Sequence, residues 1–239
     1  MRYFWLVINA AFWTTFFGLC GIIASFFEKD KGRILGHCAR IWGKTILLFC
    51  GIRYRVDGIE NLDLRKNYFF ASNHASAIDV PLAFAGIPNW LVSIAKIELK
   101  SVPVLGWVMS TAGHIFVNRR NSENAIRSLE EAKETLKKQP RSVLIFPEGT
   151  RTMDGSLSEF KRGGLNMAID LGMPIVPVAC VGTYQMLNRN NSSVGKNSLN
   201  LKLGKPIFTD KLDKNDRRII ADIVSKKVVE LLAEDSKQE

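Results

Sequence analysis

Histidine and cysteine are scarce in this chain of 239 residues, which holds three of the first and four of the second. Cys20, Cys38, Cys50 and Cys180 stand singly in apolar surroundings, with no CxxC pair. That spacing excludes a zinc ribbon or a disulfide framework and reads as buried, reduced thiols in a cytosolic redox environment. His37, His74 and His114 form no HxxxH or HExxH pair, so the sequence predicts no metal centre. No serine lies in a GxSxG elbow, which removes the main signal for a serine hydrolase. Internal repeats and long low-complexity linkers are missing too.

Acidic residues are outnumbered, 23 against 33 basic ones, and the formal charge of +10 calls for an anionic partner. Nucleic acid, an anionic membrane surface and phosphorylated substrates all fit that balance. The absence of any RNA- or DNA-binding motif argues against nucleic acid.

Charge is missing altogether from residues 3–27, "YFWLVINAAFWTTFFGLCGIIASFF". At about 1.5 Å per residue, a helix of that length exceeds the roughly 30 Å hydrocarbon core of a bilayer. A cleaved signal peptide would have only Arg2 and the amino terminus as its charged head, and no small-residue cleavage site follows. Its aromatic residues leave no polar face, so a soluble core helix fits poorly. The segment belongs in or on a membrane. Lys29, Lys31 and Arg33 follow it, against one basic residue before it, which favours a cytoplasmic location for everything downstream. Then "ILGHCARIWGKTILLFCGI" carries His37, Arg40 and Lys44 on one helical stripe, the pattern of an amphipathic, interfacial helix. Residues 1–50 are therefore expected to form a helical membrane anchor. Crossing the bilayer and entering one leaflet both fit, and either tethers the chain to the inner face.

From residue 51 the pattern becomes β-rich runs alternating with helical stretches. The runs are "IRYRVDG", "NYFFAS", "WLVSIA", "HIFVN", "SVLIF", "PIVPVAC" and "NLKLG". A helix is expected over "SENAIRSLEEAKETLKKQ", capped by Ser122 and ended by Pro140. "GGLNMAIDLG" and "RRIIADIVSKKVVELLAE" also have helical spacing, and "AEDSKQE" reads as a frayed tail. With 46% hydrophobic residues the chain can bury one sizeable core. The expected class is α/β: residues 51–239 with a mixed, largely parallel central sheet flanked by helices, behind a two-helix membrane-association motif.

Three polar clusters follow three of the strands: "NHASAID", Arg119 with Arg120, and "PEGTRT". In open α/β sheets ligands gather beyond the carboxyl ends of strands, so the clusters can converge. His74 and Asp79, five residues apart, would lie about 140° apart around a regular helix. They meet only if the backbone turns first. A carboxylate on one imidazole nitrogen would then fix the tautomer and make His74 a general base. Taken alone, His74 reads as a turn cap or a satisfied core histidine before it reads as a base, and "PEGTRT" as a surface turn with an ion pair between Glu148 and an arginine. Residues 171–209 contain no Asp or Glu but have Arg189, Lys196, Lys202 and Lys205, a basic surface suited to lipid headgroups or an anionic carrier.

Taken together, the clusters resemble the glycerolipid acyltransferases. "NHASAID" fits the NHxxxxD signature, and "GHIFVNR", "FPEGTR" and "IVPVA" resemble the second, third and fourth blocks, in order from Asn73 to Ala179. The resemblance is closest to the bacterial 1-acylglycerol-3-phosphate acyltransferases. Asn118 stands where an acidic residue is often found, and Ile97 follows Lys96 where a second basic residue is common. The resemblance implies acyl transfer from acyl-CoA or acyl carrier protein to the sn-2 hydroxyl of 1-acylglycerol 3-phosphate, giving phosphatidic acid. It implies His74 and Asp79 as the catalytic pair, and Arg119, Glu148, Gly149, Thr150, Arg151, Lys96 and Pro177 around the substrate. No cofactor or metal is implied. Another lysolipid or glycerol 3-phosphate remains open as acceptor, and a non-catalytic binder of anionic lipid is the rival of a different class.

Overall fold

All seven β-rich runs form strands: β1 (Tyr54–Asp57), β2 (Phe69–Ser72), β3 (Leu91–Lys96), β4 (Ile115–Val117), β5 (Ser142–Ile145), β6 (Ile175–Val181) and β7 (Leu199–Leu203). The structure is a computed structural model and describes residues 2–28, 32–118, 121–187, 198–210, 212 and 216–235. The strands make one sheet in the order β1-β7-β6-β2-β5-β3-β4. Every neighbouring pair is parallel except β6 with β7, so the sheet is mixed and largely parallel. β2 and β5 are buried at every position, as strands covered on both faces must be.

The helices are α1 (Arg2–Ser25), α2 (Arg33–Phe49), α3 (Asp79–Gly86), α4 (Leu105–Ala112), α5 (Ser122–Lys138), α6 (Arg162–Asp170), α7 (Thr183–Met186) and α8 (Asp216–Asp235). Strand alternation divides the core in two. Phe70, Leu144, Val176 and Val178 face a layer that includes Ile46 and Leu47 of α2 and Leu82 of α3. Phe69, Val143, Ile145 and Ile175 face Leu136 of α5, Leu165 of α6 and Val224 of α8. α5, α6 and α8 cover one face of the sheet with their apolar sides, and α2 and α3 cover the other.

α1 is long and apolar enough to cross a membrane, by length and composition. One side packs on α2 and α4, with Gly21 against Leu35 and Gly18 against Val108. Its other side leaves Phe4, Trp5, Phe12, Phe16 and Ile23 exposed, an unusual apolar surface for a helix facing water. α2 is amphipathic, as expected, and leaves Ile41, Leu48 and Phe49 exposed while its other face is buried. It packs between α1 and α3, burying Leu35, Gly43, Ile46 and Leu47, and the Arg40 guanidinium donates to the carbonyls of Ile87, Pro88 and Asn89.

Several smaller expectations change. α5 begins at Ser122, and its cap is Asn121, whose side chain accepts from the Asn124 N–H at 3.0 Å. An oxygen at Asn121 reaches the first free N–H groups, so the cap falls one residue earlier. Cys50 and Cys180 are buried, but Cys20 is exposed on α1 and Cys38 is half-buried. Lys202 is 6% exposed within β7 and takes no part in a basic surface, whereas Lys205 is exposed. Arg189 and Lys196, like Lys29 and Lys31, lie outside the described residues. α8 carries helix through Asp235, into the stretch expected to fray.

Candidate active site

The site forms where β2 ends. Asn73 comes first, its amide clasping β6 by donating to the Cys180 carbonyl (3.1 Å) and accepting from the Cys180 N–H (2.8 Å). This clasp turns the chain out of the sheet, and α3 starts six residues later at Asp79. Within the turn, Asp79 Oδ2 accepts the N–H groups of Ala75 and Ser76, both at 2.7 Å. The same oxygen lies 2.9 Å from His74 Nδ1. The turn that the five-residue spacing demanded is therefore built by the carboxylate itself. A carboxylate in the first turn of α3 also complements the positive end of the helix dipole.

Asp79 is fully buried, and its Oδ1 has no partner among the described residues. All three bonds converge on Oδ2. With Nδ1 donating to that oxygen, Nε2 is the acceptor nitrogen of the neutral ring. The imidazole stacks on Phe146, centroids 4.1 Å apart, and its side chain is 17% exposed. Phe146 follows β5, so two neighbouring strands hold the ring between a carboxylate and an aromatic face.

Glu148 sits two residues beyond Phe146 and is 4% exposed. Its Oε1 accepts the His74 N–H at 2.5 Å, and its Oε2 accepts the Ser158 N–H at 2.9 Å. Burial pushes its carboxyl above the ordinary carboxylate value, and these two backbone bonds oppose that rise. Among the described residues Glu148 forms no ion pair with an arginine. Thr152 N–H adds a bond to the His74 carbonyl at 2.9 Å, so the loop after β5 holds both backbone groups of the histidine.

The sequence candidates separate here. His74 and Glu148 line one cleft of about 230 Å³ with Asn73, Thr152, Ser156 and Tyr184. Gly149, at φ 77°, turns the chain where any Cβ would meet the end of Lys161. Thr150 is exposed, and half-buried Arg151 has no hydrogen-bond or ion-pair partner among the described residues. Lys96 is exposed at the end of β3, on the edge of the sheet where β2 and β5 also end. Pro177 lies elsewhere, lining a separate cavity with Gly58, Lys202 and Lys227. Arg119 and Arg120 lie outside the described residues.

Phe146, Ser158 and Cys180 escaped notice as site residues, whereas Asn73 stood in the NHxxxxD signature without a stated role. Their contributions are backbone clasps and ring stacking, which carry no side-chain signature at a fixed spacing. Ser72 and Ser76 flank the histidine but are committed elsewhere. The Ser72 hydroxyl donates to the Asn73 carbonyl (3.1 Å), and the Ser76 hydroxyl donates to the Leu187 carbonyl (2.5 Å). Burial, more than the nearby Asp79, pushes the Cys180 thiol well up, so it is no thiolate nucleophile. Among the described residues no cluster of three or more His, Cys, Asp or Glu can hold a metal ion.

A largely parallel sheet with a histidine–aspartate turn at the end of a central strand meets its counterpart in a known family. The family model described as acyltransferase matches residues 53–181, more than half of the chain, and the chain belongs to that family. Within it, the chain is similar to proteins named 1-acyl-sn-glycerol-3-phosphate acyltransferase. The one from Saccharomyces cerevisiae is 32% identical over 222 residues, 91% of this chain and 73% of that protein. The one from Limnanthes douglasii is 34% identical over 179 residues, 75% of this chain, and the match spans 62% of the plant protein's length. The crystal structure of the 1-acyl-sn-glycerophosphate acyltransferase of Thermotoga maritima is similar with a TM-score of 0.81 and 26% identity, over 96% of this chain and 94% of that one.

Proposed function

We propose that the protein transfers a fatty acyl group from a CoA or acyl carrier protein thioester to the sn-2 hydroxyl of 1-acylglycerol 3-phosphate. The observation that carries this reading is the 2.9 Å contact of His74 Nδ1 with a fully buried Asp79. It leaves Nε2 to take the hydroxyl proton as the oxygen attacks the thioester carbonyl. The tetrahedral adduct then expels the thiolate of CoA or carrier, and the imidazolium returns the proton to that sulfur. The committed hydroxyls of Ser72 and Ser76 and the buried Cys180 favour direct transfer without an acyl-enzyme, and this route uses no cofactor.

Arg151, with no partner among the described residues, and exposed Thr150 are suited to the acceptor phosphate, together with Arg119 and Lys96. Glu148 is reassigned from substrate contact to holding His74. The exposed apolar side of α1 holds the protein to the inner face of the membrane. Each CH₂ drawn into water costs about 0.8 kcal/mol, so an enzyme at the surface avoids extracting its lipids.

The test is acyl transfer in mixed micelles with wild type and His74→Ala. Labelled acyl-CoA and acyl carrier protein would be offered with 1-acylglycerol 3-phosphate, glycerol 3-phosphate and a neutral lysolipid. Phosphatidic acid formed from the first acceptor, with His74→Ala at least about 10²-fold slower, is the expected result. Equal rates for the two proteins would sink the general-base mechanism. A preference for glycerol 3-phosphate would move the reaction to another acceptor.

A further inference from the structure

The chain has a second cleft, a basic one of about 250 Å³, at the opposite edge of the sheet from His74. Arg33, His37 and Arg40 line it from α2, and Leu64, Arg65 and Lys66 line it from the loop before β2. Asn67 lies just ahead of β2, and Pro88 to Trp90 lie just ahead of β3. β2, β3 and β5 are parallel in one sheet, so their beginnings share one edge and the His74 turn sits at the other. From Asn67 to His74, at about 3.3 Å per residue, the two places are roughly 20 Å apart.

Charge in this cleft is one-sided. Among the described residues, four permanent cations and a histidine line it, and no carboxylate does. Of the acids nearby, Asp63 is engaged by Arg65 at 3.1 Å, and Glu28 accepts the N–H groups of Gly32 and Ile34. Arg40 is the telling residue. It is half-buried, and its only partners among the described residues are three main-chain carbonyls, all received by Nη2. A guanidinium removed from water without an ionised partner lacks the counter-charge that such groups ordinarily have. Its Nε and Nη1 remain free, and neither is a buried atom, so their hydrogens are open to an anion. The loop carbonyls hold that donor pair in place before any ligand arrives.

The surroundings indicate the source of the anion. Phe26 and Phe27, 82% and 86% exposed, lie in the turn just after the apolar α1 and a few residues before Arg33, and Leu64 on the cleft rim is 57% exposed. An apolar tip that enters the hydrocarbon leaves the residues beside it at headgroup depth. We propose that this cleft is a binding site for the phosphate headgroup of an anionic bilayer lipid, separate from the lipid that reacts. Such a site orients the protein on its membrane and makes its hold on the bilayer depend on lipid charge. It rests on the placement of α1 in the bilayer and not on the acyl-transfer reading.

The experiment is a thermal-shift titration of the detergent-purified full chain with water-soluble dihexanoyl phosphatidylglycerol, dihexanoyl phosphatidylcholine and inorganic phosphate. The proteins compared are wild type, Arg65→Ala/Lys66→Ala in the cleft and Lys138→Ala/Lys226→Ala on α5 and α8, which removes the same charge elsewhere. Wild type and the distal control should be stabilised saturably by the anionic lipid and not by the zwitterionic one. The cleft variant should need at least fivefold more anionic lipid for half-saturation. Equal titration of the two double variants would overturn the site. Equal stabilisation by the zwitterionic lipid would overturn its anion selectivity. Stabilisation by inorganic phosphate at the same concentration as the lipid would overturn the bilayer as source. Because the readout is binding, each outcome stands whatever the His74→Ala assay gives.

Discussion

At the scale of single residues, the site works through what holds His74 as much as through His74 itself. Glu148 uses both carboxylate oxygens on main-chain N–H groups, those of His74 and Ser158. A Glu148→Gln variant keeps the size but turns one acceptor into a donor facing an N–H. The His74 backbone should shift, and kcat should fall by about tenfold or more with KM little changed, since a small misplacement of a reacting group costs that much. A loss confined to KM, read in the same micelle assay, would return Glu148 to substrate binding. His114 has a different role. Its Nδ1 accepts from the Ser93 N–H at 3.0 Å, and loss of water around the ring, then the charge of Arg141, lower its pKa from 6.5 to about 4. Between those values the unfolded chain takes up a proton that the folded one refuses. Stability present in full above pH 6.5 is therefore lost as the pH falls towards 4, by up to about 3 kcal/mol. Melting curves at pH 7, 6 and 5 should fall more steeply for wild type than for His114→Asn, and parallel curves would place the acid sensitivity elsewhere.

At the scale of elements, α2 and α3 approach until a glycine is required between them. A Cβ at Gly43 would lie 2.6 Å from the Pro81 carbonyl and 3.0 Å from the Ala85 nitrogen, both main chain and unable to swing aside. Gly43→Ala should force the helices apart at a cost of about 1–3 kcal/mol, lowering Tm by roughly 3–10 °C. A Tm within a degree of wild type would mean that the contact is looser than these distances. The strands were legible because "NYFFAS", "SVLIF" and "PIVPVAC" are short apolar runs bounded by polar residues, the mark of strands buried on both faces. α3 and α4 were not. "DVPLAFAG" is buried on almost every side and "LGWVMSTA" is only eight residues, so neither shows a helical period. The site divides in the same way. His74 and Asp79 announced themselves by type and spacing, whereas the Glu148 bonds end on main-chain atoms that every residue has.

At the scale of the whole molecule, the sheet separates two kinds of surface. On one side α1 exposes aromatic and aliphatic side chains along its length, and on the other α5 is polar outside with single exposed residues such as Ile126, 58% exposed. Only the first is continuous, so the protein should meet a membrane with one face, and the two ends of α1 should not be equivalent. Phe26 and Phe27, in the turn just after the helix, are more than four-fifths exposed, ahead of Arg33 at the start of α2, while Trp5 near the other end donates its indole N–H to the Phe49 carbonyl at 3.0 Å. The two phenylalanines, unlike Trp5 at 54% exposed, have nearly all of their apolar area to give to lipid. Replacing both phenylalanines by aspartate removes that area and sets two carboxylates at a depth where each costs up to about 3 kcal/mol. Phe26→Asp/Phe27→Asp should therefore leave the membrane pellet in an alkaline carbonate wash that retains wild type. Ile126→Asp, on the far side of the sheet, should stay with wild type. If all three remain in the pellet, the rest of α1 suffices to hold the protein, and the turn after it lies outside the hydrocarbon.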